Sequence, residues 1–421
     1  MKKRKDLRGR NLKDCEDQMP DGRYRFRYAQ GGKRKAVYSW KLVSTDKVPQ
    51  GKRDCLSLRE LEKNIEKDLS DGIDAHTAAK LTVIDLIRIY LGTKKNLKES
   101  TRQVYDDIIR RYITDTIGQQ KLSSVRFSTM SKYFNDLSTV QGLKPHTIRN
   151  VYSILHPAFD MAVRDSYIRL NPTDGLFGEI KKDSVWQAEK RHALTPDEQR
   201  AFLNFLEESD TYRHYKPLFV FLLGTGTRIG EAIVLRWDDV DFSKNTISVN
   251  HAAQYLRGKD GVHIFKIDTP KTEAGHRTIP MFKEVREALR QERENQMRLG
   301  LRSKAEIDGY SNFIFVNGAG NVYAKENLNT LLRHIVSAYN EKERADAEKE
   351  HRESVLIRPF SLHNLRHTFC TRLIENDVNV KTVQEIMGHT NIQTTLNIYA
   401  EVTEAKKEET FANLEGKMLI S

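Results

Sequence analysis

LHNLRHTFCTRLIENDVNVKTVQEIMGHTNIQTTLNIYA, residues 362–400, stands near the end of a 421-residue chain and carries much of its chemistry. It opens with His363 and Arg366, whose i, i+3 spacing puts both on one face of a helix. Pro359 and Ser361, a helix-capping residue type, precede them, where the N–H groups of a helix start favour phosphate. The stretch closes on Gly388-His389, a run of small polar residues, and Tyr399 ten residues after the histidine. His363 and His367 share the i, i+4 spacing of a zinc-protease helix, but Asn364 stands where the glutamate base would be, so no metal site is expected.

Two segments farther upstream supply further cations. In GTGTRIG, residues 224–230, Arg228 follows an apolar helix and precedes Ile229, Ala232, Ile233 and Leu235. An arginine in such surroundings is costly unless it is paired. The same segment lacks the third glycine of a dinucleotide loop and the Gly-Lys-Ser/Thr of a nucleotide loop, so neither NAD nor ATP is indicated. Lys271 stands in DTPKTEAGHRTIP, residues 268–280, a hairpin-like turn able to bring an ammonium group into a site. There is no G-x-S-x-G elbow, and no carboxylate pair stands out from the surface acids.

The bulk properties set the frame. A hydrophobic content of 38% is that of a soluble globular protein, and 421 residues suggest two or three domains. No apolar run reaches the roughly 20 residues of a membrane span, and no apolar region follows the basic start, so a cytoplasmic protein without a signal peptide is expected. Cys15, Cys55 and Cys370 are too scattered for a disulfide framework or zinc site. Net charge is +12; residues 1–53 hold 17 Lys and Arg against 6 Asp and Glu, or +11, leaving +1 for the rest.

Within that basic front, Arg23-Tyr24-Arg25-Phe26-Arg27-Tyr28 alternates strictly, as a strand with guanidinium groups on one face and rings on the other. Gly31-Gly32 marks a turn into a second strand over 35–43, and Ser57 with Glu60 forms a capping box for a helix running to about Leu69. A small basic sheet of this kind can enter a DNA major groove. From about 77 to 172 the pattern is that of amphipathic helices, with Thr101, Ser128 and Thr147 near helix starts. Residues 177–193 read as a linker, and the remainder mixes strands and helices, with helices dominant from 282.

In order and spacing, TGTRIGEAIVLRWDDVDF, PKTEAGHRTIP and the stretch quoted at the outset resemble the catalytic domain of the tyrosine recombinases, the family of phage lambda integrase. The likeness spans roughly 190–402; the basic front is similar to the arm-binding sheet of conjugative-transposon integrases, and the helical segment to a core-site binding domain. The resemblance implies a multidomain α+β protein: 1–72 arm-type DNA-binding domain with a three-stranded sheet and helix, 77–176 helical core-site domain, 185–402 mainly helical catalytic domain with a small antiparallel sheet, and 403–421 a tail that docks on a neighbouring protomer.

It implies Arg228, Lys271, His363, Arg366 and His389 as site residues, Tyr399 as the nucleophile, Glu231 as a supporting acid and Lys266 as a second candidate proton donor. Arg23, Arg25, Arg27, Lys33, Arg34, Lys35, Tyr38 and Trp40 become candidate DNA contacts. The implied activity is excision and integration of a mobile element through a 3′-phosphotyrosine intermediate and a Holliday junction. It needs no cofactor or metal, and its partners are double-stranded arm-type and core-type DNA sites, three further copies of the chain in a tetramer, and an excisionase. A type IB topoisomerase-like enzyme and a non-catalytic DNA-binding regulator are the alternatives.

Overall fold

The computed structural model describes residues 4–30, 33–70, 72–182, 192–257, 263–269, 275–301 and 303–405. The chain forms two compact units, Met1–Ala188 and Glu189–Ser421.

The first unit begins with an antiparallel sheet ordered β1 (Glu16–Gln18), β2 (Tyr24–Gln30), β3 (Lys33–Ser39), followed by α1 (Leu58–Ser70). The alternation in β2 has its expected result. Tyr24 and Phe26 are buried in a cluster with Leu42 and Leu58 of α1, with Tyr28 packed against it. The register sets Arg25 opposite Tyr38, Arg27 opposite Ala36 and Ala29 opposite Arg34, so these side chains share the other face.

Next come α2 (Ala75–Lys80), α3 (Val83–Thr93), α4 (Glu99–Ile108), α5 (Phe127–Thr139), α6 (Pro145–Arg164) and α7 (Leu176–Lys182). Thr82 and Asp85 cap each other's backbone at the start of α3, and Pro145 presets the first turn of α6. α4, α5 and α6 therefore begin one or two residues before the Thr101, Ser128 and Thr147 signals. Their apolar stripes meet in one core that includes Leu86, Ile113, Phe134, Val151 and Phe159. The stretch expected as a linker from 177 instead opens as helix α7, because Leu176 and Ile180 are buried in that core.

The second unit contains α8 (Pro196–Glu208), α9 (Lys216–Thr225), α10 (Ile229–Ala232), β4 (Val240–Asp241), β5 (Thr246–Val249), β6 (Ala252–Arg257), β7 (His263–Asp268) and β8 (Arg277–Pro280). It continues with α11 (Lys283–Arg298), α12 (Lys325–Glu350), α13 (Leu362–Glu375), α14 (Val380–Met387) and α15 (Ile392–Ala405). The strands form two antiparallel sheets, β4-β5-β8 and β6-β7. α9 is apolar around its circumference because all its faces are covered, with Phe219, Phe221 and Leu222 buried among Phe202, Leu289 and Leu365.

α9 ends at Gly226, which adopts φ 59°. A Cβ there would lie 2.4 Å from the Phe369 ring of α13 and 3.0 Å from Met387 Sδ of α14. Only glycine allows both the left-handed turn and this approach. The turn thus sets Arg228 and α10 close to the middle of α13 and the end of α14.

Candidate active site

The second unit gathers its cations around the C-terminus of α14. A helix leaves its last carbonyls without intrahelical partners. Those of Gln384 and Glu385 accept from the backbone N–H groups of His389 and Gly388, with Gly388 left-handed at φ 62°. The next three carbonyls each accept from a different arginine. Arg277 Nε donates to Ile386 O at 2.8 Å, Arg366 Nη2 to Met387 O at 2.5 Å, and Arg228 Nη2 to Gly388 O at 3.0 Å. The negative end of the helix dipole favours the same arrangement.

A buried carboxylate holds two of these arginines. Glu231, 4% exposed, lies 2.9 Å from Arg228 Nη1 through Oε1 and 2.8 Å from Arg277 Nη2 through Oε2, and it also accepts the Arg228 backbone N–H at 2.9 Å. Its carboxyl is held below the usual range: burial opposes ionisation, but hydrogen bonding from Arg277 and the charges of Arg277 and Arg228 prevail. Arg366 is 4% exposed and donates its other amine to Gly226 O at 2.6 Å. Burial, then repulsion from Arg228, makes its charge harder to keep than that of an ordinary arginine. Three guanidinium groups against one carboxylate leave a local charge of +2, a field suited to a phosphodiester.

His389 immediately follows the capped end. Its Nδ1 shares a 2.9 Å hydrogen bond with the Oγ1 of buried Thr395. Burial, followed by the charges of Arg366, Arg228 and Arg277, pushes its pKa down to about 4. His389 is therefore neutral near pH 7, and one ring nitrogen is engaged by Thr395. His363 is exposed at the second position of α13. The Asn364 side chain accepts from the Ser361 N–H and hydroxyl and donates to His192 O, a structural use of the position where a metalloprotease carries its base.

His363, Arg366 and His389 line a cleft of about 290 Å³ together with Asn397, Ile398 and Glu401 of α15. Tyr399 is on the same helix, 41% exposed, and lies outside that lining. Arg228, with its side chain 42% exposed, flanks the cluster through Glu231 and Gly388. Lys271 lies outside the described residues; Lys266 is on β7, paired in register with Gln254.

The candidate DNA contacts of the N-terminal sheet divide. Arg23 lies over the rings of Tyr38 and Trp40 and pairs with Asp21. Arg25 and Arg27 both reach Asp17 of β1, at 2.7 and 3.2 Å, so part of their charge is already compensated. Arg34 is exposed. Lys35, by contrast, sits opposite Tyr28 on the ring face and pairs with Asp74, the N-cap of α2, at 3.3 Å. Lys33 pairs in register with Gln30, and its side chain is outside the described residues.

Residues 192–406, which hold this whole cluster, match the Phage integrase family. The chain belongs to this family of tyrosine recombinases. Residues 1–69 match the DNA binding domain of tn916 integrase, and residues 82–138 the N-terminal SAM-like domain of phage integrases. The transposase from transposon Tn916 of Enterococcus faecalis is 35% identical over 410 residues, covering 95% of this chain and 94% of its own. A XerC-like tyrosine recombinase of Caldanaerobacter subterraneus is 28% identical over 78% of this chain and 81% of its own. Among solved structures, the Tn1549 transposon integrase in complex with transposon right end DNA matches with a TM-score of 0.67 and 32% identity, over 78% of this chain and 99% of that one. The protein is thus a DNA-breaking and rejoining integrase of the conjugative-transposon type. Among the described residues no helix is long and apolar enough to cross a membrane.

Sequence reasoning missed Arg277 and Thr395. Arg277 reads as one more strand residue in HRTIP, and Thr395 as one of several small polar residues; neither has a spacing signal.

The neutrality of His389 can be measured directly. The proton is bound more readily in the unfolded chain, near the ordinary value of 6.5, than in the folded one, near 4. The stability contributed by a neutral, buried His389 is therefore complete above pH 6.5 and is lost as pH falls toward 4. With ¹³C-labelled histidines assigned through a His389→Gln variant, the His389 imidazole should remain neutral at pH 6 and titrate near pH 4. A midpoint at 6.5 would contradict the burial described here.

Proposed function

We propose that the +2 cluster receives the scissile phosphate of a core-type DNA site and that Tyr399 is the nucleophile. The observation that carries this reading is the gathering of Arg228, Arg366, His363 and His389 around the end of α14, next to the helix that bears Tyr399. Attack spreads negative charge over the equatorial oxygens of the phosphorus, and two guanidinium forks held in advance stabilise that charge without reorganising.

In the first transesterification the Tyr399 oxygen bonds to phosphorus and the 5′-oxygen leaves, giving a 3′-phosphotyrosine and a free 5′-hydroxyl. His363 accepts the phenol proton. Lys271 delivers a proton to the departing oxygen, with Lys266 the alternative donor. Neutral His389, steadied by Thr395, donates a hydrogen bond to a non-bridging oxygen. A 5′-hydroxyl from the partner duplex then attacks the phosphotyrosine, releasing Tyr399 and conserving the bond. In this proposal α15 is a movable element that carries the nucleophile and brings its phenol to the phosphate.

Four protomers act together in this proposal, exchanging strands through a Holliday junction in the cytoplasm, with the segment 403–421 docking on a neighbour and an excisionase setting direction. The sheet face bearing Arg23, Arg25, Arg27, Arg34, Tyr38 and Trp40 reads arm-type sites. Binding arm and core sites at once raises avidity. A topoisomerase-like reaction would need no paired sites, and a regulator would form no adduct.

Two experiments test this. On a nicked suicide substrate from an element end, wild type should accumulate a covalent protein–DNA adduct that Tyr399→Phe abolishes, and Arg228→Lys should slow its formation on the order of 10²-fold. An adduct that survives in Tyr399→Phe would overturn the assignment. For the arm site, Arg34→Ala should flatten the slope of log affinity against log salt by about 0.9, whereas Lys35→Ala should leave it unchanged. The reverse pattern would place the DNA on the other face.

A further inference from the structure

Arg277 has no role in the chemistry proposed above, yet it is the most heavily bonded arginine of the cluster. Its side chain is 5% exposed, so it cannot reach DNA. It grips Glu231 with both amines, at 2.8 and 3.3 Å, and also donates to Ile386 O at 2.8 Å and Gly275 O at 3.3 Å. These bonds join the start of β8, the carboxylate of α10 and the end of α14, over sequence separations of 46 and 109 residues.

We propose that Arg277 is a positioning residue for strand cleavage, which keeps Glu231 turned away from full pairing with Arg228 and so leaves Arg228 with charge and N–H groups to spend on the phosphate. The proposal rests on the reading that Arg228 holds the scissile phosphate. A carboxylate facing one arginine neutralises it. Facing two, it leaves a net +1, and here the two partners differ in access: Arg277 is enclosed, while the Arg228 side chain is 42% exposed. Glu231 Oε1 takes Nη1 of Arg228 at 2.9 Å and Nη1 of Arg277 at 3.3 Å, while Oε2 takes Nη2 of Arg277 and the Arg228 backbone N–H, so Arg277 draws on both oxygens and Arg228 reaches only one with its side chain. Without Arg277, Oε2 would keep only the Arg228 backbone N–H inside a buried pocket, where an incompletely paired charge is costly. The carboxylate would then rotate onto both amines of Arg228, drawing it off the phosphate and cancelling its charge. Arg277 also ties Ile386 beside the two carbonyls that hold Arg366 and Arg228.

The test uses full-length protein and a suicide substrate carrying either a normal phosphate or a neutral methylphosphonate at the scissile position. Variants are Arg277→Gln, Arg277→Lys, Glu231→Gln and the double variant Arg277→Gln/Glu231→Gln. Arg277→Gln should bind core-site DNA as wild type does, but form adduct on the order of 10- to 100-fold more slowly on the phosphodiester. On the methylphosphonate, which has no charge to neutralise, the deficit relative to wild type should fall below about threefold. Arg277→Lys should recover part of the rate. The double variant should outperform Arg277→Gln alone, because no carboxylate remains to capture Arg228.

A deficit equal on both substrates, or a double variant no better than the single one, would overturn the proposal and leave Arg277 a structural residue. A wild-type rate in Arg277→Gln would overturn it as well. Arg228→Ala serves as the separate control: if its own deficit did not shrink on the methylphosphonate, the failure would lie in the reading of Arg228 as a phosphate clamp.

Discussion

Three adjacent carbonyls at the C-terminus of α14, those of Ile386, Met387 and Gly388, accept hydrogen bonds from three arginines that arrive from β8, α13 and the turn before α10. Much of the active-site arrangement follows from this. A helix end needs donors for its last carbonyls, and here the donors are also the cations that a phosphodiester requires. Each guanidinium is fixed by structural bonds before substrate arrives, so stabilising the transition state costs little reorganisation. The left-handed Gly388 turns the chain directly into His389, whose burial, followed by the charges of the neighbouring arginines, keeps the imidazole neutral.

The close turn at Gly226 makes the arrangement possible. Its carbonyl receives the second amine of Arg366, and its missing side chain admits Phe369 and Met387. Charge and packing are coupled at this point: the buried arginine is tolerated because two backbone carbonyls replace the water it has lost. Glu231 completes the balance, enough negative charge to hold Arg228 and Arg277 in place and too little to cancel the site.

Much of this was legible in the sequence, for identifiable reasons. Alternation in β2 separated rings from arginines because a strand has period two, and the i, i+3 spacing set His363 and Arg366 on one helix because local geometry is short-range. What escaped was long-range or concealed by size. Arg277 acquires its importance from Glu231 and Ile386, distant in sequence and close only in the fold. β1 spans three residues, too few for a periodicity to appear, so Asp17 and its neutralisation of Arg25 and Arg27 could not be anticipated. Lys35 counted as basic surface in a charge tally, although its position in the register turns it toward the rings and Asp74. The helical start of the expected linker escaped because its polar residues obscure Leu176 and Ile180.

The most direct measurement is a structure of the recombinase on a cleaved core site with vanadate joining Tyr399 to the DNA ends, an analogue of the transition state. If the end of α14 is a preformed platform, Arg228 and Arg366 will each place an N–H on an equatorial vanadate oxygen while keeping their bonds to Gly388 O and Met387 O, and Arg277 will remain on Glu231 without touching the ligand. Arginines that abandon those carbonyls to reach the vanadate, or an Arg277 that contacts it, would contradict the account.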